Sequence, residues 1–212
     1  MELKLLNPDQ LRLAYETDLR EAFPPEELKP LSTMEELERR GLYDALALFG
    51  EEGEGPLGYA LLWKHEDPRF LLIDYLCVPA GRRNGGIGAR LLAALIDRYP
   101  EDTVLIGESE APTGQAGADE MILRRLAFYR RNGAVTLGYD TALFGVHFKT
   151  IAWSRGPLPP EGKILQKHRE IYENLFAGSP LEEMIQIPLA PGEAPRPRTK
   201  WTEGGSHADS SL

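Results

Sequence analysis

The sequence predicts an α/β fold, one mixed sheet with helices on its faces, and three observations lead there. The N-terminal half closes on a hairpin-like pair of strand runs. Two later strand runs each lead into a helix. The runs LLIDYLCV (71–78) and TVLIGESE (103–110) are joined by a single helix-like segment, which makes them a parallel pair at the sheet centre.

In chain order, residues 9–22 carry Leu11, Leu13, Ala14, Leu19 and Ala22 at helical spacing, and Pro24 with Pro25 stops the run. In STMEELERRG (32–41), Ser32 or Thr33 can cap a first turn, Glu35 and Glu36 favour its positive end, and Gly41 closes it. ALALFG (45–50), the turn-rich EEGEGP and LGYALLWK (57–64) read as a hairpin, and HEDPR then leads into 71–78. After a glycine-rich loop, Ile87, Leu91, Leu92, Leu95 and Ile96 give a broad apolar helix face that Pro100 ends. Strand 103–110 and the loop APTGQAGA precede a helix over 119–132. That helix sets Ile122, Leu123, Leu126, Ala127 and Tyr129 on one side, four arginines on the other, and Gly133 at its stop. Strands around AVTLGY and FGVHFKTIAW and a helix near 163–176 complete one domain over residues 1–180. Residues 181–212, rich in Pro, Gly and Ser from Ile187 onward and without periodicity, read as a mobile tail.

Bulk properties narrow the function. The 212 residues suffice for one domain with a real core. A formal net charge of −9 argues against nucleic acid and favours small cations such as amines. No run approaches the ~18 apolar residues of a membrane span, and MELKLLNPDQ has no leader pattern, so no membrane partner is expected and a cytoplasmic address is the default. The sole cysteine, Cys77, excludes an intramolecular disulfide and a multi-cysteine metal site; it reads as a small buried hydrophobe. His65, His147, His168 and His207 have no ligand spacing and read as structural or exposed, so no metal is expected.

The loop RRNGGIGARLL (82–92) follows a strand and opens a helix, an arrangement that leaves backbone N–H groups at a positive dipole end for an anion. A nucleoside-triphosphate loop needs Lys and Ser/Thr after its last glycine, but Ile87 and Gly88 stand there. A dinucleotide fingerprint starts well at Gly86 and Gly88 and fails at Leu91. Glu108, about twenty residues on, keeps that reading weakened and still open.

Arg83-Asn84-Gly85-Gly86-Ile87-Gly88 fits [RQ]-x-x-G-x-[GA]. With YLCV upstream and LAFYRRNGA (126–134) downstream, the chain resembles the GNAT superfamily of acyl-CoA-dependent N-acetyltransferases, over roughly residues 1–155. The resemblance implies a GNAT-like fold, a central mixed sheet with splayed parallel strands. It implies acetyl-CoA as co-substrate, its pyrophosphate on the backbone of Arg83, Asn84, Gly85, Gly86, Ile87, Gly88 and Ala89. Its pantetheine arm is expected to pair with the backbone of Leu76, Cys77 and Val78, where an N–H would polarise the thioester carbonyl. The acceptor is then a small-molecule primary amine, and a homodimer is compatible with the family.

Direct attack needs a neutral amine, and an alkylammonium of reference pKa ~10.4 must first lose a proton. Asp74, alternating with Leu72 and Leu76, and Glu108 with Glu110, sharing a face of the next strand, are the candidates to accept it or to hold the cation. Tyr129 stands where many family members carry a tyrosine that donates to the coenzyme A sulfur. Two departures stand out: Ile122 replaces an asparagine common in relatives, and Arg82 replaces a tyrosine. A noncatalytic acyl-CoA-binding or regulatory module is the alternative.

Overall fold

The computed structural model describes residues 1–197 except 26, 52–54, 116, 118, 177 and 180. Its helices are α1 (Pro8–Ala14), α2 (Arg20–Ala22), α3 (Leu31–Arg39), α4 (Ile87–Arg98), α5 (Glu120–Arg131) and α6 (Glu161–Phe176). The strands are β1 (Glu2–Leu5), β2 (Tyr43–Phe49), β3 (Pro56–Lys64), β4 (Phe70–Cys77), β5 (Val104–Glu110), β6 (Val135–Leu143), β7 (Val146–Trp153) and β8 (Ile185–Gln186). They form one 8-stranded sheet in the order β1-β2-β3-β4-β5-β7-β6-β8, parallel between β4 and β5 and antiparallel elsewhere. The expected mixed sheet and its central parallel pair are therefore present.

Strand alternation sorts the core into two layers. On one face Ala45, Ala47, Leu61, Trp63 and Leu72 pack with Leu11 of α1, Met34 and Leu37 of α3, and Ile164 and Ile171 of α6. On the other, Leu46, Leu48, Ala60, Leu62 and Leu105 meet Leu91, Leu92 and Leu95 of α4. Gly58 marks how closely α4 approaches: a Cβ there would lie 3.0 Å from the Cys77 carbonyl oxygen and 3.2 Å from Leu91 Cδ2.

One irregularity sets the centre of the molecule. Leu61 pairs with Tyr75 and Leu62 with Ile73, so Asp74 is the extra residue of a β-bulge. The bulge reverses the side-chain alternation: Leu72 and Tyr75 both join the first layer, while Leu76 packs against the second. Asp74 and Leu76 thus do not share a face as expected, because that expectation assumed an unbroken strand. Pairing of β4 with β5 stops at Leu72 with Ile106, and β5 continues only with β7. Beyond that row the parallel strands splay.

Other differences have local causes. β1 was not expected; it is a four-residue edge strand with little buried surface, so it leaves no alternating pattern to read. Helix 9–22 is interrupted by a π-helical stretch at Tyr15–Leu19, and α3 starts at Leu31 behind Pro30 rather than behind Ser32 or Thr33. On α5, Leu123 is exposed instead of packed. The expected tail is ordered at its start. Ile185 and Gln186 pair with Leu143 and Ala142, Leu189 N–H donates to the Asp140 carbonyl at 2.8 Å, and Ile187 is buried. So short an edge strand, held by backbone bonds, needs no periodicity. Residues 198–212 of that tail lie outside the described residues. Among the described residues no helix is long and apolar enough to cross a membrane.

Replacing Gly58 with Ala is expected to destabilise the fold by about 1–3 kcal/mol through overpacking against a backbone oxygen. Urea unfolding measures it; a change within about 0.5 kcal/mol would mean that β3 and α4 are less tightly packed than the geometry requires.

Candidate functional site

The glycine loop is shaped by backbone conformations few residues tolerate. After a 3-10 turn at Ala80–Arg82, Asn84 (φ 67°) and Gly86 (φ 74°) both lie in the left-handed region, and α4 starts at Ile87. The first intrahelical bond runs from Arg90 N–H to the Gly86 carbonyl at 3.2 Å. The N–H groups of Ile87, Gly88 and Ala89 are therefore left over at the positive end of the helix, beside the exposed Arg82 and Arg83. A Cβ on Gly86 would meet nothing within 4 Å, so the approach to this end is open. Gly88 has a different role: a Cβ there would lie 3.2 Å from Phe128 Cζ, so its absence lets α4 and α5 pack.

Arg83 folds back and donates from Nε to the Val78 carbonyl at 3.0 Å. That carbonyl, expected as part of an open strand edge, is already engaged. The edge of β4 after Leu72 has no strand beside it, so alternate backbone groups through Leu76 and Cys77 face the splay. Cys77 itself is buried and its thiol is pushed up to about 12 by burial, helped by the Asp18 charge, which makes it an inert packing residue.

The splay opens into a cavity of about 770 Å³ that passes through the sheet. Its walls include Trp63, Tyr75 and Tyr172 from the first layer and Leu76, Phe128 and Tyr129 from the second. Asp74 and Glu108 line it from the two diverging strands, with side chains only 12% and 11% exposed.

These carboxylates are held differently. Asp74 accepts from Lys29 Nζ and from the Tyr43 hydroxyl. Lys29 also lies 4.6 Å from the Trp63 ring centroid and 5.1 Å from that of Tyr75. Burial pushes the Lys29 amine down from its ordinary value, while the charges of Asp74 and Glu108 oppose this. Burial, with the Asp74 charge behind it, holds the Tyr43 phenol well above its usual range. Asp74 is thus matched by a fixed cation.

Glu108 accepts from the Tyr172 hydroxyl at 2.8 Å and from Thr141 Oγ1 at 3.4 Å. His168 Nε2 stands 3.0 Å from Glu108 Oε1, an electrostatic contact off the axis of a hydrogen bond. Its Nδ1 lies 3.1 Å from the Tyr139 hydroxyl. His168 is fully buried, which agrees with its reading as structural or exposed; its contact with Glu108 has no sequence signal beyond the helical spacing of His168, Tyr172 and Phe176 on α6. Glu110, at the open end of β5, is half-exposed and meets Arg125 of α5 at 3.3 Å.

Tyr129 packs edge-on against Trp153 and Phe128, with ring centroids 5.5 Å away in each case. Burial raises its phenol pKa and Arg125 opposes the shift, so the hydroxyl stays protonated at neutral pH. Among the described residues that hydroxyl has no hydrogen-bond partner, although it lines the cavity. Of the remaining histidines, His147 contacts Asp140 and His65 contacts Glu170, away from the cavity, and His207 lies outside the described residues. Among the described residues no group of three or more His, Cys, Asp or Glu could hold a metal ion.

Comparison with known proteins adds three findings. The profile of the acetyltransferase (GNAT) family matches residues 9–134. The Bacillus subtilis (strain 168) protein YjbC is 30% identical over 165 residues, 74% of this chain and 78% of that protein. Among solved structures, a GNAT-family protein from Bacteroides thetaiotaomicron superposes with a TM-score of 0.66 at 21% identity, covering 82% of this chain and 98% of that one. An aminoglycoside 6'-N-acetyltransferase complexed with coenzyme A gives 0.55 at 18% identity, over 75% and 99%. At these identities the superpositions establish the fold.

Two tyrosines of the cavity are expected to behave oppositely on loss of their hydroxyls. Tyr129→Phe should leave stability within about 0.5 kcal/mol, as no protein partner is lost. Tyr172→Phe should cost about 1.5–3 kcal/mol, because Glu108 loses a charge-assisted bond. Chemical denaturation of both variants checks this, and equal effects would contradict the assigned partners.

Proposed function

The chain belongs to the acetyltransferase (GNAT) family, and from that premise we propose that it transfers an acetyl group from acetyl-CoA to the primary amine of a small molecule by direct attack. The observation that carries this reading is the through-sheet cavity. On its second-layer side it holds a free phenol, and Val78 and Arg83 of its lining lead into the glycine loop that opens α4. On its first-layer side it holds a buried carboxylate.

The residues fit the co-substrate. Ile87, Gly88 and Ala89 would hold the pyrophosphate by their N–H groups, and Arg82 and Arg83 add positive charge. The open edge of β4 at Leu76 and Cys77 would accept an extended arm as an added strand, and an N–H there would polarise a carbonyl. Bound in this way, acetyl-CoA supplies an activated thioester.

Each remaining task falls to a side chain of this protein. Glu108 would pair with the incoming ammonium and take one proton from it, since the groups in direct contact with it are two hydroxyls and an imidazole, while Lys29 is hydrogen-bonded to Asp74. His168 stands behind Glu108 at 3.0 Å and would help to position its carboxylate. Asp74 is less suited to the role because Lys29 already compensates it, and Glu110 because Arg125 does. We assign Asp74 to holding Lys29 and the bulge in place. As the C–N bond forms and the C–S bond breaks, Tyr129 would give its proton to the departing thiolate and recover the second proton that the nitrogen sheds in becoming an amide, so that one proton ends on Glu108 and one on the sulfur.

Thiol release from acetyl-CoA in the presence of a panel of primary amines tests the reading, and coenzyme A binding without turnover by any amine would instead favour the noncatalytic module. Tyr129→Phe is expected to lower kcat by about a hundredfold while coenzyme A affinity stays within about twofold. Unchanged kcat would remove Tyr129 from the chemistry.

A further inference from the structure

We infer that the acceptor is an amine bearing a single positive charge on an aromatic or similarly apolar body, not a polycation. This rests on the acetyltransferase reading and concerns the first-layer half of the same cavity.

The charges lining the cavity leave room for one cation. Asp74 is matched by Lys29 and Glu110 by Arg125. Arg83 is engaged with the Val78 carbonyl on the cofactor side, and Glu27 stands on the exposed lip. Among the described residues, the buried carboxylates Asp74 and Glu108 share one lysine, Lys29, which is hydrogen-bonded to Asp74 and also attracted by Glu108, so two negative charges face one cation and one charge, nearer Glu108, is left to match. A second ammonium carried inside would find no counter-charge, and it would approach the buried Lys29 cation instead. A linear polyamine or an aminoglycoside presents several ammonium groups a few bonds apart and meets this penalty at once.

The walls around Glu108 are rings. Phe23, Trp63, Tyr75, Phe144, Phe148 and Phe176 all line the cavity. Several are fixed against each other: Phe23 on Tyr75 at 4.9 Å and Phe144 on Phe176 at 5.9 Å between centroids. Phe144 is held at φ 50° in the turn between β6 and β7, a conformation that a bulky side chain adopts only when its surroundings enforce it. Trp63 and Tyr75 already carry the Lys29 ammonium on their faces, so they offer area to an apolar body more readily than to another cation. A ligand that places one ammonium on Glu108 and an aromatic group among these rings satisfies both features; a peptide lysine would leave the rings largely uncovered.

The experiment compares kcat/KM for 2-phenylethylamine, n-propylamine and spermidine with saturating acetyl-CoA, and measures binding of the same amines to the coenzyme A-saturated protein by calorimetry. 2-Phenylethylamine is expected to exceed both others by at least about tenfold in each assay. Phe148→Ala should remove most of that preference by raising KM for 2-phenylethylamine alone. Glu108→Gln should weaken 2-phenylethylamine binding while leaving 2-phenylethanol unaffected, a contrast that a folding defect would not produce. Turnover with spermidine equal to or better than with 2-phenylethylamine would overturn the inference and leave the acetyltransferase reading standing. If no amine releases thiol, that reading falls. The calorimetric order then decides the pocket alone: tighter 2-phenylethylamine keeps the assignment, and no binding ends it.

Discussion

The structure depends on the single extra residue at Asp74. A β-bulge bends its strand and steepens the local twist, and here it lies two residues beyond the last paired row of the parallel strands. Without it β4 and β5 would continue pairing toward Cys77 and Glu110, and the sheet would be closed where the cavity now passes. The same insertion reverses alternation, so that Tyr75 and Cys77 face the first layer and Leu76 the second. One inserted residue therefore produces the gap, the unpaired strand edge and the division of the lining residues.

Keeping a bulge at the centre of a core has its own requirement, because an acidic side chain is displaced into a nearly dry site. Burying an uncompensated carboxylate is costly, and an ion pair offsets this only when its remaining valences are filled. Lys29 and Tyr43 fill them for Asp74, and the Lys29 ammonium is in turn covered by Trp63 and Tyr75. Tyr75 also accepts from Lys29 N–H at 2.9 Å and donates to the Glu27 carbonyl at 2.8 Å. Lys29 and the Glu27 carbonyl, between α2 and α3, are thereby tied to the bulge, which joins this wall of the first-layer half of the cavity to the strand that opens it.

How much of this could be read in the sequence follows from the range of the interactions involved. The parallel pair, the helix with Leu91, Leu92 and Leu95, and the glycine loop are local patterns, and they are where the sequence places them. Asp74, Glu108, Glu110 and Tyr129 all line one cavity, Glu110 half-exposed and in contact with Arg125. The bulge was not legible: LLIDYLCV has no glycine or other mark of an inserted residue, and the register is set by β3, about fifteen residues upstream, through pairs such as Leu61 with Tyr75. Lys29 and His168 were missed for the same reason. Each becomes meaningful only through a partner far along the chain, Asp74 for one and Glu108 for the other. β8 was missed because two residues on a sheet edge carry no periodic signal.

This difference of range also separates the two halves of the cavity. The half toward α4 begins with Leu76, Cys77, Val78 and Arg83, which a short contiguous stretch leading into the glycine loop encodes. The opposite half is made of side chains from α2, β3, β6, β7 and α6 that converge only after folding. The substitution of one ring or charge there changes what fits without disturbing the loop. The half toward α4 is therefore the part that a sequence motif can report, and on the function proposed above selectivity for the acceptor would reside in the charge balance around Glu108 and the rings that enclose it.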